Sequence, residues 1–434
     1  MRRLFFLPML CALLCWARPV LAADHMTLED SIQMAIQRNP SVRAQDQEVL
    51  VKEMDQRVQF SKMLPSADLS YGYARLDETP SMTFPLDFPT GTQVFTVPMG
   101  TKDNYSMSIE AKQVLFAGGA LYNSYLIAKN DRYAAELDRE QTVRRLKLLV
   151  IDAYYGVIKA RQLKEVATAS VASVKSLLDV SNAFFNQGMI PKNNLLEAQV
   201  RFAETEQNLI SAENAVKIAE SNLNLLLVRG LTDEVTIDSE IPLTTTDITF
   251  EQALQTAYEN RQEIRTVQLQ LDSTGKGVTI ARSEFMPSVA ATYTYERSGE
   301  DYDVENDGWK AGVGLNWNLF KGGGSYWNYQ RARYTSAKVG YLLESLKNSV
   351  ALEVKNSYLN IEEAQARLKV AEKSIAQAQE NFRIEKDRYN LQVSTSTDVL
   401  RAEALLAQAR NNLISSRADQ ARAMAALRAS MGTL

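Results

Sequence analysis

The sequence predicts a mostly α-helical chain with a membrane β-barrel portion, in which a strand hairpin followed by long coiled-coil helices is built twice. Three observations carry this. First, Leu115-Phe116-Ala117-Gly118-Gly119 returns as Leu319-Phe320-Lys321-Gly322-Gly323, a displacement of 204 residues that also brings Tyr154 onto Tyr358, Phe185-Asn186 onto Tyr389-Asn390 and Asn208-Leu209 onto Asn412-Leu413. Second, a long proline-free run of helical character follows each glycine pair. Third, before each pair the apolar period falls to two residues. Two copies of about 200 residues make one architecture used twice, not a short-period solenoid.

Taken in order, residues 1–23 open with Arg2-Arg3, continue through the apolar run Leu4 to Ala17 and end in Val20-Leu21-Ala22. That is the pattern of a secretory signal peptide, too short for a membrane span. Cys11 and Cys15 both lie in it, so the processed chain has neither disulfide nor thiol chemistry. Loss of Arg2, Arg3 and Arg18 takes the 48 basic residues to 45 against 52 acidic, a net charge of −7. Such mild acidity argues against a nucleic-acid partner. His25 is the one histidine, which excludes a Ser-His-Asp triad or a His-rich metal site. The glycines at Gly118 and Gly322 lack the Gly-Lys-Ser/Thr ending of a phosphate loop. Neither an enzyme nor a cofactor or metal is expected.

Thr27 to about Phe60 reads as helix, capped by Thr27 and broken or restarted at Asn39-Pro40. Here the repeat matches at a displacement of 222, pairing Thr27-Leu28-Glu29 with Thr249-Phe250-Glu251 and Pro65-Ser66 with Pro287-Ser288. The first copy therefore holds 18 extra residues between Pro65 and Leu115. The predicted organisation is a first repeat over 24–230 (helix, β-hairpin, long helix, helix), a linker at 231–248 and a second repeat over 249–434.

After Pro65, Leu69, Tyr71 and Tyr73, then Tyr105, Met107, Ile109 and Ala111, alternate with small or polar residues. The second copy repeats this with Val289, Ala291, Tyr293 and Tyr295, then Trp309, Ala311, Val313, Leu315, Trp317 and Leu319. The segments Asp77 to Asn104 and Ser298 to Asp307 read as exposed loops that absorb the 18-residue difference. A soluble sheet with one buried face would show the same alternation. Strands of about ten to twelve residues with recurrent tyrosine and tryptophan instead fit a tilted bilayer crossing with an aromatic belt. Tyr71, Tyr73, Tyr293, Tyr295, Trp309 and Trp317 are accordingly the expected lipid-facing positions. Four strands cannot close alone, and an open edge is forbidden in lipid, so such a barrel must be shared between chains.

The runs Gly119 to Phe185 and Gly323 to Leu391 would each reach about 100 Å as helices. Their apolar residues recur at three-four spacing, as at Val143, Leu146, Val150, Ala153 and Val157, and alanine at many seam positions favours close antiparallel packing. In each copy the two shorter helices sum to roughly the length of the long one. Stacked end to end, they can flank it.

The Thr-Leu-Glu-Asp to Asn-Pro start at Thr27 to Pro40, the two Leu-Phe-x-Gly-Gly junctions and the duplicated plan resemble the TolC-type outer-membrane efflux proteins over essentially the whole processed chain. The resemblance implies a homotrimer in the outer membrane of a Gram-negative type envelope: a 12-stranded barrel continued by an α-helical tunnel through the periplasm. It implies an exit duct of a tripartite efflux system, passing small molecules from an inner-membrane pump and a periplasmic adaptor (membrane fusion) protein to the exterior. An exit duct for type I protein secretion is the alternative within the class, and a secreted coiled-coil structural protein is the alternative outside it. Residues 231–248 would lie at a belt around the tunnel.

The same resemblance assigns the periplasmic aperture and the adaptor-docking edge to the two helix turns. The first holds Gly188, suited to positive φ, Pro191, suited to a first helical turn, Asn193 and Asn194. The second holds Tyr389, Gln392, Ser394, Asp398 and Arg401, with Gln392 where the family has glycine. Asp398 matches an acid that lines a charged ring, where repulsion between three carboxylates would raise at least one pKa. Asn194 and Ser394 stand where the family ties neighbouring helices together with an acid and a base, so neutral hydrogen bonds involving Tyr389 and Asn194 are expected instead.

Overall fold

The structure, a computed structural model, describes residues 25–242, 247–301 and 306–434; the expected signal peptide at 1–23 and residues 243–246 of the expected linker lie outside them. The chain runs through α1 (Leu28–Arg38), α2 (Pro40–Ser61), β1 (Ser66–Arg75), β2 (Ser81–Phe88), β3 (Gly91–Pro98), β4 (Asp103–Phe116), α3 (Ala120–Asn186) and α4 (Lys192–Leu226). It then repeats as α5 (Phe250–Asn260), α6 (Gln262–Ser283), β5 (Ser288–Gly299), β6 (Asn306–Asn316), α7 (Gly324–Asn390) and α8 (Ser396–Ser430). The helices of the two copies begin and end at matching residues: α1 and α2 match α5 and α6 at a displacement of 222, and α3 and α4 match α7 and α8 at 204. Each long helix has 67 residues, about 100 Å.

The main sheet is antiparallel with order β1-β4-β5-β6, so the hairpins of the two copies join at β4 and β5. Its alternation is the one the sequence predicts. Leu69 lies opposite Ile109, Ile109 opposite Tyr295 and Tyr295 opposite Trp309, forming one apolar row across all four strands. The adjacent row on the other face is Asp68, Glu110, Thr294 and Lys310. β1 and β6 are left as edges.

Two expectations need correction. The segment Asp77 to Asn104 is not a plain loop, since β2 and β3 pair within it, with Met82 opposite Val97 and Phe84 opposite Phe95. Its prolines argue against a central strand, but in a two-stranded ribbon both strands are edges and Pro85 and Pro98 are tolerated. Trp317 lies just beyond a strand rather than in one: β6 ends at Asn316, opposite Ser288, where its partner β5 begins. The Trp317 indole donates to the Phe285 carbonyl at 3.1 Å.

Contacts gather the helical chain into two compact units. One comprises the segment up to Gln37, Leu149–Thr244 and Ala364–Arg422. In it Met26 pairs with Ile237, and the Tyr154 hydroxyl donates to the Met26 carbonyl at 3.1 Å or to Asp238 Oδ2 at 2.8 Å. Burial, then Asp238, pushes the Tyr154 phenol up. Gln162 and Asn224 bond the carbonyls of Ser239 and Asp233, so the polar segment after α4 is pinned along its backbone.

The other unit comprises Arg38–Leu148, Thr245–Glu363 and Ala423–Leu434, with a core of Ala253, Ala257, Ile264, Val350, Val354, Ile361 and Leu427. Here the break between α5 and α6 falls on Arg261, with no proline to impose it. The buried Arg261 guanidinium forks onto Glu353 at 2.8 and 2.9 Å and donates to the Ser430 carbonyl. Glu263, two residues on, meets Arg261 at 3.1 Å and Arg144 at 2.8 Å. Burial alone would raise the Glu263 carboxyl, but its own backbone amide, Arg261 and Arg144 outweigh it and hold the group low.

Four helix ends close with one device. At the ends of α3, α4, α7 and α8 two successive amides bond back into the last turn, Gly188 N to Phe185 O and Met189 N to Phe184 O being the first pair. The residue carrying this turn has positive φ: Gly188 (68°) and its match Gln392 (63°), Val228 (55°) and its match Gly432 (76°). Each copy supplies glycine at one end and a residue with a Cβ at the other.

Two outcomes follow. Val228→Gly removes a β-branched residue from the left-handed region and should stabilise by about 1 kcal/mol, whereas Gly432→Ala should destabilise, because its Cβ would meet the Asn260 carbonyl carbon and oxygen at 2.9 Å; thermal unfolding in detergent checks both. Glu263→Gln leaves Arg144 without its carboxylate and should cost about 3 kcal/mol at neutral pH. Since the folded Glu263 pKa is depressed, this stabilisation is complete above the ordinary carboxylate range and is lost as pH falls through the lowered value. Chemical unfolding at pH 7 and pH 3 should show the difference shrink in acid.

Candidate functional site

The two helix turns lie in the unit that holds Leu149–Thr244 and Ala364–Arg422, and the structure brings them together. Beneath them Val174, Leu177, Tyr389, Val399 and Leu400 form a small core, with Phe184 and Tyr389 at 5.7 Å between ring centroids. Above it two polar links cross from one turn to the other. Thr397 Oγ1 donates to Glu197 Oε2 at 2.8 Å, and the Gln392 amide reaches the Met189 sulfur at 3.4 Å.

Gly188 takes the positive φ that the sequence anticipates, and Gln392 takes the same conformation with a Cβ. Pro191 is the N-cap of α4, extended at φ −74° and ψ 157°, rather than a residue of its first turn. Proline cannot supply a capping side chain, and its carbonyl instead accepts from the Asn194 amide at 3.1 Å. Asn193 is exposed and Asn194 half-buried in the first turn of α4.

Tyr389 is buried, and its hydroxyl meets Ser181 Oγ at 2.9 Å, not Asn194. Ser181 also donates to the Leu177 carbonyl. The neutral contact expected at the turns therefore forms one helical turn below them. Ser394, between α7 and α8, links the two helices through one hydroxyl, shared between Glu385 of α7 at 2.7 Å and Asp398 of α8 at 3.2 Å.

Asp398 caps α8. Its Oδ2 accepts from the Thr395 amide at 3.2 Å and hydroxyl at 2.7 Å, and its own amide donates back to Thr395 Oγ1 at 3.2 Å. Thr395, then Ser394 and Arg401, hold its carboxyl below the usual range within the single chain. Arg401 is exposed on the next turn. Ser181, Glu197 and Glu385 carry no local signal for these roles, while Thr395-Ser396-Thr397-Asp398 has the form of a capping box and could have been read as one.

Of the expected lipid-facing residues, Tyr71, Tyr73, Tyr293, Tyr295 and Trp309 share the apolar face of the strands, and Trp317 lies beyond them. Tyr71, Tyr73, Tyr293 and Trp309 are exposed, with the rings of Tyr293 and Trp309 stacked at 6.2 Å and those of Tyr73 and Tyr105 tilted at 4.8 Å. Tyr295 is half-buried, and its hydroxyl reaches Asp307 at 3.4 Å.

The family model described as "Outer membrane efflux protein" matches residues 31–228 and again 253–433. The outer membrane protein TolC of Vibrio cholerae is 23% identical over 388 residues, 86% of this chain and 83% of that one. The alkaline protease secretion protein AprF of Pseudomonas aeruginosa is 23% identical over 417 residues, 94% of this chain and 84% of that one. Among solved structures, the CmeC outer membrane channel of Campylobacter jejuni superposes with a TM-score of 0.79 at 16% identity, covering 94% of this chain and 85% of that one. The outer membrane protein VceC of Vibrio cholerae gives 0.79 at 17% identity, covering 93% and 96%.

Tyr389→Phe should cost about 1 kcal/mol, the loss of one buried hydrogen bond, while Asn194→Ala should stay within about 0.5 kcal/mol of the parent. Parallel thermal unfolding of the two variants tests which residue holds the turns together.

Proposed function

This chain belongs to the outer membrane efflux protein family, and from that premise we propose that three copies form a passive exit duct, receiving cargo from an inner-membrane pump through a periplasmic adaptor. Its place is the outer membrane, extending into the periplasm. The observation that carries the reading is the four-stranded sheet with one continuous apolar, aromatic row and two unpaired edges. In hydrocarbon those edges must pair, and three copies give a closed barrel of twelve strands with Tyr71, Tyr73, Tyr293, Tyr295 and Trp309 toward lipid. Trp317 then sits at the barrel's lower rim. No bond of the cargo is made or broken.

In this reading residues 24–230 and 249–434 are the two structural repeats, and 231–248 is the belt between them. The paired turns are the periplasmic aperture and the adaptor-docking edge. Gly188, Pro191, Asn193 and Gln392 present the outer edge, and Asp398 with Arg401 on the following turns lines the narrowing. Three Asp398 carboxylates facing one another would favour cations. Small-molecule efflux is the primary assignment. Type I protein secretion is the second, favoured by the likeness to a protease-secretion protein over 94% of this chain.

Light scattering of the detergent-purified protein should give the mass of a trimer, and a planar bilayer should show a small, cation-selective conductance. Asp398→Asn should lower that selectivity and weaken block by multivalent cations. A water-soluble monomer without conductance would refute the duct, and unchanged selectivity would remove Asp398 from the narrowing. Deletion of the gene separates the two cargo classes: lost drug tolerance marks efflux, and a missing secreted protein marks secretion.

A further inference from the structure

The β2–β3 ribbon prolongs the β1–β4 hairpin, but in a shifted register. β1 and β4 pair from Ser66 with Lys112 to Arg75 with Asp103, and β2 and β3 pair from Ser81 with Pro98 to Phe88 with Gly91. Between the two ladders residues 76–80 stand opposite residues 99–102, one more on the first strand than on the second. The Leu76 amide donates to the Lys102 carbonyl at 2.8 Å and the Met99 amide to the Pro80 carbonyl at 2.7 Å across this gap. One extra residue on one side is the count of a β-bulge, and a bulge bends the ribbon that contains it.

The extra residue decides which way the apolar side chains point. On β4 the apolar row is odd-numbered, at Tyr105, Met107 and Ile109, and the even count of residues before it carries that parity into β3 at Phe95 and Val97. On β1 the row is also odd-numbered, at Leu69, Tyr71 and Tyr73, but the odd count at the bulge switches it to even on β2. Met82, Phe84, Leu86 and Phe88 therefore share a face with Phe95 and Val97, and that face continues the apolar face of the sheet. Thr83, Asp87, Thr92 and Thr96 lie on the other face, where the Thr92 hydroxyl donates to Asp87 at 2.6 Å. Asp87 is the one charged residue between Glu78 and Lys102.

The helices α2 and α3 join β1 and β4 at the end of the hairpin away from the ribbon, so the ribbon stands on the exterior side. The ten residues of β1 already suffice for a tilted crossing, so the ribbon begins where the hydrocarbon ends. Yet the six apolar residues of its face are each at least 44% exposed, and none is a tyrosine or tryptophan with a polar handle for water. We propose that the ribbon folds outward at the bulge and lies flat on the exterior surface of the outer membrane, with Phe84, Phe88 and Phe95 among the lipid acyl chains just below the headgroups and Thr83, Asp87 and Thr96 toward water. The inference rests on the shared-barrel reading and goes beyond it by giving the first copy's insertion a task. Ser81 to Pro98 is 18 residues, the length by which the first copy exceeds the second. Two constraints select lipid over a second copy of the chain. The apolar face continues the lipid-facing row, which points away from the axis where three ribbons would have to meet. Both ribbon strands are edges, and their free amides and carbonyls find water at the interface but not in the hydrocarbon core.

The test uses the full-length protein, whose only cysteines, Cys11 and Cys15, lie in the expected signal peptide. Phe95→Cys and Thr96→Cys, each labelled with an environment-sensitive fluorophore, are reconstituted in vesicles of phosphatidylethanolamine and phosphatidylglycerol. The label at 95 should emit to the blue of the label at 96, lose its fluorescence to nitroxide-bearing lipid and resist aqueous iodide; the label at 96 should do the reverse. Equal quenching of both by iodide would overturn the proposal and leave the ribbon free in water. A label at 95 shielded from both quenchers would overturn it in favour of a protein cover. Should Phe95→Cys fail to assemble, Phe84→Cys with Thr83→Cys reads the same two faces. Leu69→Cys, in the apolar row of β1, separates the two readings: lipid quenching there keeps the barrel whatever the ribbon does, and its absence would remove both.

Discussion

A β-sheet edge cannot stand in hydrocarbon, and this chain's sheet has two of them. That one constraint governs the rest. The strands carry an apolar aromatic row meant for lipid, yet four strands are too few to close around anything. The chain is therefore a fraction of a barrel. Its helices face an equivalent constraint, since α7 ends up with one packed side and one bare aromatic side. Sheet and helices are short of partners in the same sense, and the proposed assembly would supply both at once.

Duplication lets the backbone's demands be separated from the sequence's answers. At four helix ends the chain closes with a left-handed residue, but Gly188 and Gly432 meet this without strain while Gln392 and Val228 do not. The turn is required by the helix-to-helix connection, because it persists where the residue disfavours it. Gln392 has a compensation that glycine lacks, since its side chain spans to Met189 and ties one turn to the other. Nothing in the structure explains Val228.

Much of the fold was legible because its signals are local. Alternation at Leu69, Tyr71 and Tyr73 requires only a strand with one apolar face, and Asn39-Pro40 breaks a helix through its own sterics. The break at Arg261 was not legible, because it is stabilised by Glu353, 92 residues away. Ser181 escaped notice for the same reason, its partner Tyr389 lying 208 residues on. The hairpin β2–β3 was hidden by its prolines, which count against a strand only where neighbours demand both sides of it. Trp317 was misread because alternation in the sequence continues past the point where β5 ceases to offer a partner.

At Asp398 local and assembled chemistry oppose each other, and their balance decides whether the proposed ring can work. Three carboxylates around one axis repel, which raises a pKa and discharges at least one of them. Within each chain the Thr395 amide and hydroxyl and the Ser394 hydroxyl donate to the same carboxylate and hold its pKa down. The capping box therefore does two things with one side chain: it starts α8 and offsets the repulsion that would neutralise the ring. An acid placed one residue away, off the cap, would meet its two neighbours without those donors and take up a proton more readily. The proposed charged narrowing at neutral pH thus depends on the acid belonging to the capping box, which would tie the permeation chemistry to the first turn of α8.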